Sequence, residues 1–194
     1  MRNIAIFASG SGTNAENIIK YFSTKNTVKV SIVLSNKREA YVLKRASMHN
    51  IPTVFFDRNE FYATGKVLGY LLENKIDFIV LAGFLWLVPG NILNIYNNRI
   101  INIHPALLPA YGGKGMYGEK VHKCIIENHE KVSGITIHYV NQQYDEGDII
   151  FQARCKIEET DTPESLALKI HTLEHKHYPK VIEELVSDLH ELSL

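Results

Sequence analysis

Through its first hundred residues this chain alternates short apolar, β-branched runs with amphipathic stretches, and that alternation restricts its fold more than any other feature. Residues 3–8, 28–35, 53–56, 78–82 and 100–103 read as strands. Between them the helical period appears at 15–22, 40–49, 61–74 and 90–95. Strand and helix in turn, with short connections, bury both kinds of apolar surface in a parallel sheet covered on both faces. The expected fold class is α/β, a doubly wound and mostly parallel sheet of Rossmann-like form.

The pattern changes after His104. Residues 109–118 hold Gly112, Gly113, Gly115 and Gly118 and show no period, as expected of a mobile loop that covers a site. A short helix is expected at 119–127. Residues 134–140 and 148–156 then alternate apolar and polar around a turn at 141–147, which predicts an antiparallel pair. Asp161-Thr162-Pro163-Glu164 starts a last helix with proline at its first position. Leu166, Ile170, Leu173, Val181, Ile182, Leu185 and Leu189 carry that helix toward the C-terminus, and Pro179 is expected to interrupt or kink it. No repeat, low-complexity segment or linker divides the chain, so one domain over 1–194 is expected.

Composition removes several functions. Lys plus Arg and Asp plus Glu both number 21, so no strong field draws nucleic acid or an anionic membrane. An anionic ligand must then be held locally, by backbone amides or a few side chains. Cys124 and Cys155 lie far apart with no metal-binding spacing and read as reduced thiols. The N-terminal apolar stretch is too short for a signal peptide, and the longest apolar run, 78–88, is too short to span a bilayer. A soluble, cytoplasmic protein with no membrane partner is expected.

Four motifs carry chemistry. Asn102-Ile103-His104-Pro105 ends an apolar run, and the proline keeps His104 out of a helix. Two residues apart on extended backbone, Asn102 and His104 point to one side, at a strand end where open α/β sheets place ligands. An amide donor beside a group that both donates and moves protons suits negative charge growing on a carbonyl oxygen. Downstream, Asp145-Glu146-Gly147-Asp148 offers carboxylates that favour imidazolium if one lies beside His104, and is otherwise an ordinary acidic turn.

Ser9-Gly10-Ser11-Gly12-Thr13-Asn14 joins the first strand to the first helix, where glycines admit close approach and free amides favour a phosphate. It lacks the Gly-Lys-Ser/Thr of a P-loop and the third glycine of a dinucleotide fingerprint, so a single phosphate or a plain turn are its two readings. Gly83-Phe84-Leu85-Trp86-Leu87-Val88 could seat a large ring system, although Phe84 and Leu87 read more simply as core. His171-Thr172-Leu173-Glu174-His175 matches the His-x-x-Glu-His pattern of a zinc peptidase. Only nineteen residues follow it, and Glu183 and Glu184 make a poor third ligand on an amphipathic helix.

Taken in order, residues 9–14, Leu81-Ala82-Gly83-Phe84, Asn102 to Pro109, Tyr144 to Gly147 and Glu174-His175 resemble the folate-dependent formyltransferases, in the branch that acts on phosphoribosylglycinamide. The resemblance implies a formyltransferase fold with an antiparallel strand pair in the C-terminal half and a C-terminal helix. It implies formyl transfer from 10-formyltetrahydrofolate to the amine of phosphoribosylglycinamide in purine biosynthesis. The folate acts as co-substrate, and no permanently bound cofactor and no metal are expected. Asn102, His104 and Asp145 match the family's catalytic residues. Gly12, Thr13 and Asn14 would hold the substrate phosphate and Glu174 its sugar. Leu85, Trp86, Leu87 and Val88, with Asn102, Asn141, Gln142, Gln143, Tyr144 and Asp145, would form the pterin pocket. Residues 1–100 would thus serve the phosphoribosyl substrate and 101–194 the folate and the chemistry. Monomer and homodimer both stay open.

In the mechanism so implied, the amine attacks the formyl carbon, Asn102 and protonated His104 donate to the oxyanion, and Asp145 keeps His104 cationic and helps move the proton. The chain departs from the family at Leu85-Trp86, where Met-Arg is common, at Ala106 for serine, and in a longer, glycine-rich loop at 110–118. Arg58 is the candidate for a basic residue that often approaches the folate. A deformylase, which passes the formyl group to water, is disfavoured because this chain has the phosphate loop and starts at its first strand. Transferases acting on methionyl-tRNA or sugar amines usually carry a C-terminal extension. A non-catalytic nucleotide-binding module would explain the glycine loop and leave the Asn, His and Asp spacing unexplained.

Overall fold

A computed structural model describes residues 1–189; the last five residues of the expected domain range lie outside them. In chain order the elements are β1 (Arg2–Phe7), α1 (Thr13–Phe22), β2 (Val28–Ser35), α2 (Tyr41–Met48), β3 (Thr53–Phe55), α3 (Arg58–Tyr62), α4 (Lys66–Glu73) and β4 (Phe78–Leu81). There follow α5 (Gly90–Ile95), β5 (Ile100–His104), α6 (Glu119–Glu127), β6 (Val132–Tyr139), β7 (Ile149–Lys156) and α7 (Pro163–Ser187).

The strands form one seven-stranded sheet in the order β3-β2-β1-β4-β5-β6-β7. Pairings through β5 are parallel, whereas β6 runs antiparallel to both β5 and β7. The doubly wound expectation therefore holds, with the antiparallel pair extending one edge. Strand periodicity explains why two layers of helix are needed. Ile4 and Ile6 enter one core cluster with α1, α2, α6 and α7, while Ala5 and Phe7 enter the other with α3, α4 and α5. The chain order reverses beside β1, whose neighbours are β2 and β4, and a cleft opens at the C-terminal strand ends there.

One local expectation is corrected and another narrowed. The single helix expected at 61–74 is two, α3 and α4. Asp57 starts α3 early through a capping box with Glu60, and Gly65, at φ 71°, holds a left-handed conformation that a continuous helix excludes. Pro179 does not interrupt α7, which runs through it. Proline removes the bond to the carbonyl four residues back, and that carbonyl, on His175, instead accepts the Asn17 amide at 2.9 Å. Next to it, buried Tyr178 donates to the Leu81 carbonyl at 2.9 Å, anchoring α7 on the end of β4. No helix among the described residues is long and apolar enough to cross a membrane.

Candidate active site

The glycine loop leaves β1 into the cleft, and its shape is set by neighbours more than by its own side chains. Gly12 sits at φ 77°, and an added Cβ would lie 2.4 Å from the Val42 side chain, so only glycine fits. The Val42 amide donates to the Gly10 carbonyl at 3.2 Å and Arg45 Nε to the Ser11 carbonyl at 2.9 Å. Arg45 is held in turn by Glu16, whose pKa is lowered to about 2 by Lys20, together with His49 and Arg45 itself. Ser9 donates to Asn36 at 2.7 Å and accepts the Leu85 amide at 3.1 Å, which ties this loop to the segment after β4. α1 starts at Thr13 with no side-chain cap, so its first amides stay open to an anion.

Glu174, buried on α7, faces the same loop. Its Oε2 accepts the Asn14 amide and His171 Nδ1, both at 2.8 Å, and the bond to Glu174 raises the pKa of His171. This carboxylate is thereby engaged with the glycine loop. No group of three or more His, Cys, Asp or Glu able to hold a metal ion occurs among the described residues.

The second cluster lies where β5 ends. Asn102 and His104 point to one side, as their spacing requires, and antiparallel pairing sets His138 of β6 directly opposite Asn102. Asp145 reaches both strands from the turn after β6. Its carboxylate oxygens lie 3.5 Å from His104 Nδ1 and 3.5 Å from His138 Nε2, and they accept the Gly113 amide at 2.9 Å and Asn102 Nδ2 at 3.5 Å. The turn that delivers Asp145 is tight: Asp145 itself takes φ 57°, and a Cβ on Gly147 would lie 1.8 Å from the Tyr139 carbonyl. Aspartate is among the few residues that tolerate the left-handed region.

Hydrogen bonds assign the protons. His104 Nε2 lies 2.8 Å from the Tyr111 carbonyl and donates to it, which leaves Nδ1 facing Asp145. His138 Nδ1 donates to the Tyr139 carbonyl at 2.7 Å, and its Nε2 lies 3.1 Å from Asn102 Nδ2 and 3.5 Å from Asp145 Oδ1. Burial lowers the pKa of His104, and the opposing pull of Asp145 and the Tyr111 carbonyl is smaller. Burial thus outweighs Asp145, opposite in direction to the expected pull of that carboxylate toward a cationic ring. Burial also disfavours the Asp145 carboxylate, but His138, His104 and the Gly113 amide outweigh it and hold its pKa below the ordinary range.

Both clusters border one cavity of about 720 Å3, whose walls include Gly12, Thr13, Asn14, Leu85, Trp86, Leu87, Val88, Asn102, His104, Gln143, Tyr144, Asp145 and Glu174. Asn141 and Gln142 are not in that wall; they border a separate polar groove with Asn94, Asn97 and Asn98. Trp86 belongs to an aromatic bank with Phe56, Phe61, Tyr62 and Phe84, with centroids 6.0–6.4 Å from its own. Arg58 also stays outside the cavity wall, its guanidinium over the Tyr62 and Trp86 rings at 5.1 and 5.6 Å. Sequence reasoning missed His138, the Tyr111 carbonyl and Arg45. For His138 a signal existed, since the alternation through residues 134–140 puts it on one face with Thr136, but its partner depends on the register with β5.

Fold and site define an α/β protein with a glycine loop at a helix N-terminus and a cluster of Asn102, His104, His138 and Asp145 in one cleft. Residues 2–182 match the formyl transferase family. Phosphoribosylglycinamide formyltransferase of Bacillus subtilis is 36% identical over 191 residues, covering 96% of this chain and 95% of that protein. The chloroplastic phosphoribosylglycinamide formyltransferase of Arabidopsis thaliana is 37% identical over 187 residues, and the match spans 93% of this chain but only 64% of the plant protein. The crystal structure of phosphoribosylglycinamide formyltransferase from Bacillus halodurans superposes with a TM-score of 0.86 at 40% identity, covering 96% of each chain. The chain belongs to the formyl transferase family.

Proposed function

We propose that the chain is an enzyme that transfers a formyl group from 10-formyltetrahydrofolate to the amine of phosphoribosylglycinamide, giving phosphoribosylformylglycinamide and tetrahydrofolate. The observation that carries this reading is the meeting of Asn102, His104 and Asp145 in the cavity that also holds the Gly12-Thr13-Asn14 loop. The open amides of α1 suit the phosphate, Glu174 suits sugar hydroxyls, and the apolar wall at 85–88 with Gln143 and Tyr144 suits the pterin. The sugar subsite spans both halves of the chain, because Asn14 and Glu174 are hydrogen-bonded to each other. Balanced charge and two free cysteines support a cytoplasmic setting.

The proton positions shape the chemistry. As the amine adds to the formyl carbon, its nitrogen becomes acidic and the formyl oxygen becomes an oxyanion. Neutral His104 offers its Nδ1 lone pair, takes that proton, and as imidazolium donates to the oxyanion beside the Asp145 charge. Asn102 supplies the second donor. Collapse of the intermediate returns the proton to the departing folate nitrogen. One oxyanion donor contributes roughly 3–4 kcal/mol to such a transition state. An absorbance assay of tetrahydrofolate formation with and without the ribotide tests the proposal. Strict ribotide dependence is the expected result; equal turnover with water alone would make the protein a deformylase.

A further inference from the structure

His122 lies on α6, a helix that the reading above leaves without a task. The residue is buried at 4% exposure, yet its ring borders the cavity shared by the glycine loop, His104 and Glu174. Its Nδ1 is buried without a hydrogen-bond partner. Every other histidine in this wall has at least one ring nitrogen engaged: His104 on the Tyr111 carbonyl, His138 on Tyr139 and Asn102, His171 on Glu174. An imidazole kept out of water with a nitrogen unpaired is costly unless something completes its hydrogen bonds.

Val121 and Ile125 of the same helix supply its apolar contacts to the core cluster, and His122 is buried beside them at the cavity wall. The charged and titratable groups that influence the ring are Glu174, His171 and His104, so it stands within electrostatic reach of both the sugar-side carboxylate and the catalytic histidine. Burial dominates over Glu174 and lowers its pKa, which leaves a neutral ring. A neutral imidazole gives one donor and one acceptor, the complement of a hydroxyl or an amide and a poor match to a bare phosphate.

We infer that His122 is a specificity residue for the acceptor, hydrogen-bonding the polar sugar portion of the phosphorylated substrate from the α6 wall of the cavity. The inference rests on the function proposed above for what occupies this cavity. The ring turns toward the ligand as it binds, and the unpaired nitrogen gains its partner.

The test uses the full chain and two readouts. In the formyl transfer assay, His122→Phe should raise the ribotide KM at least tenfold while the formyl folate KM and kcat change less than twofold. An unchanged ribotide KM in the folded variant overturns the inference. Independently of catalysis, histidine nitrogen NMR of the wild-type protein is followed during titration with ribose 5-phosphate. The His122 ring signals should shift at saturation, and saturable binding that leaves them in place also overturns it. The NMR arm stands if the phenylalanine variant does not fold. Wild-type protein that binds ribose 5-phosphate through His122 but shows no ribotide-dependent turnover would sink the proposed reaction and leave this contact in place.

Discussion

The two halves of the cleft are built by opposite strategies. The glycine loop is one contiguous stretch that presents backbone: Gly12 is fixed by its own φ and by the Val42 side chain, and the Gly10 and Ser11 carbonyls are tied down by the Val42 amide and Arg45 of α2. The cluster at the end of β5 is made of side chains from distant segments, with Asn102, His138 and Asp145 meeting only because β6 pairs antiparallel with β5. On the proposed function, binding falls to the loop's backbone and proton transfer to side chains whose protonation depends on burial. The two halves should fail differently when damaged.

The largest effect belongs to the side-chain cluster. His104→Ala should lower kcat by about a thousandfold, the upper range for one lost oxyanion donor. The variant should keep its fold by circular dichroism and its ribotide KM within about twofold. Asp145→Asn should lower kcat by roughly a hundredfold, at the low end for a group that assists proton transfer. Because Asp145 pulls the His104 pKa upward against burial, its loss should move that pKa further down, as read by histidine NMR. An unmoved His104 pKa would show that the carboxylate and the ring are not coupled.

The loop should respond in binding. Gly12→Ala forces a Cβ onto Val42 and adds a left-handed backbone penalty that alone is about 1–2 kcal/mol. The ribotide KM should therefore rise at least about tenfold with little change in kcat. If kcat fell as far as KM rose, the loop would be shaping the transition state as well as holding substrate.

The smallest effect is on stability. His104 and His122 have pKa values lowered by burial, so the unfolded chain binds protons more readily than the folded one as the pH falls through about 6.5. Stability that is full above that pH should then decline toward pH 5, seen as a lower urea midpoint, and His104→Ala should flatten the decline. A midpoint that rises on acidification would contradict the burial argument.

The same contrast explains what was legible in the sequence. The strand and helix alternation and the Ser9 to Asn14 loop are local patterns, and both emerged where their residues predict. Asn102 and His104 were legible because two-residue spacing on a strand fixes a shared face. His138 was not, since its place opposite Asn102 is a matter of register, which appears only when β5 and β6 pair. The downward shift of the His104 pKa was also hidden: a carboxylate nearby pulls it up, and only burial reverses the sign. At 61–74 the apolar period ran on through Gly65, whose left-handed backbone breaks the helix. At Pro179 the rule for proline was right about the lost bond, but Asn17, far off in sequence, satisfies the carbonyl and α7 continues.

The most direct test of this division is a paired measurement of kcat and ribotide KM on His104→Ala and Gly12→Ala in one formyl transfer assay. The expected result is a crossed pattern, kcat collapsing in the first at near-normal KM and KM rising in the second at near-normal kcat. Parallel losses of kcat and KM in both variants would contradict the separation of a binding backbone from a reacting side-chain cluster.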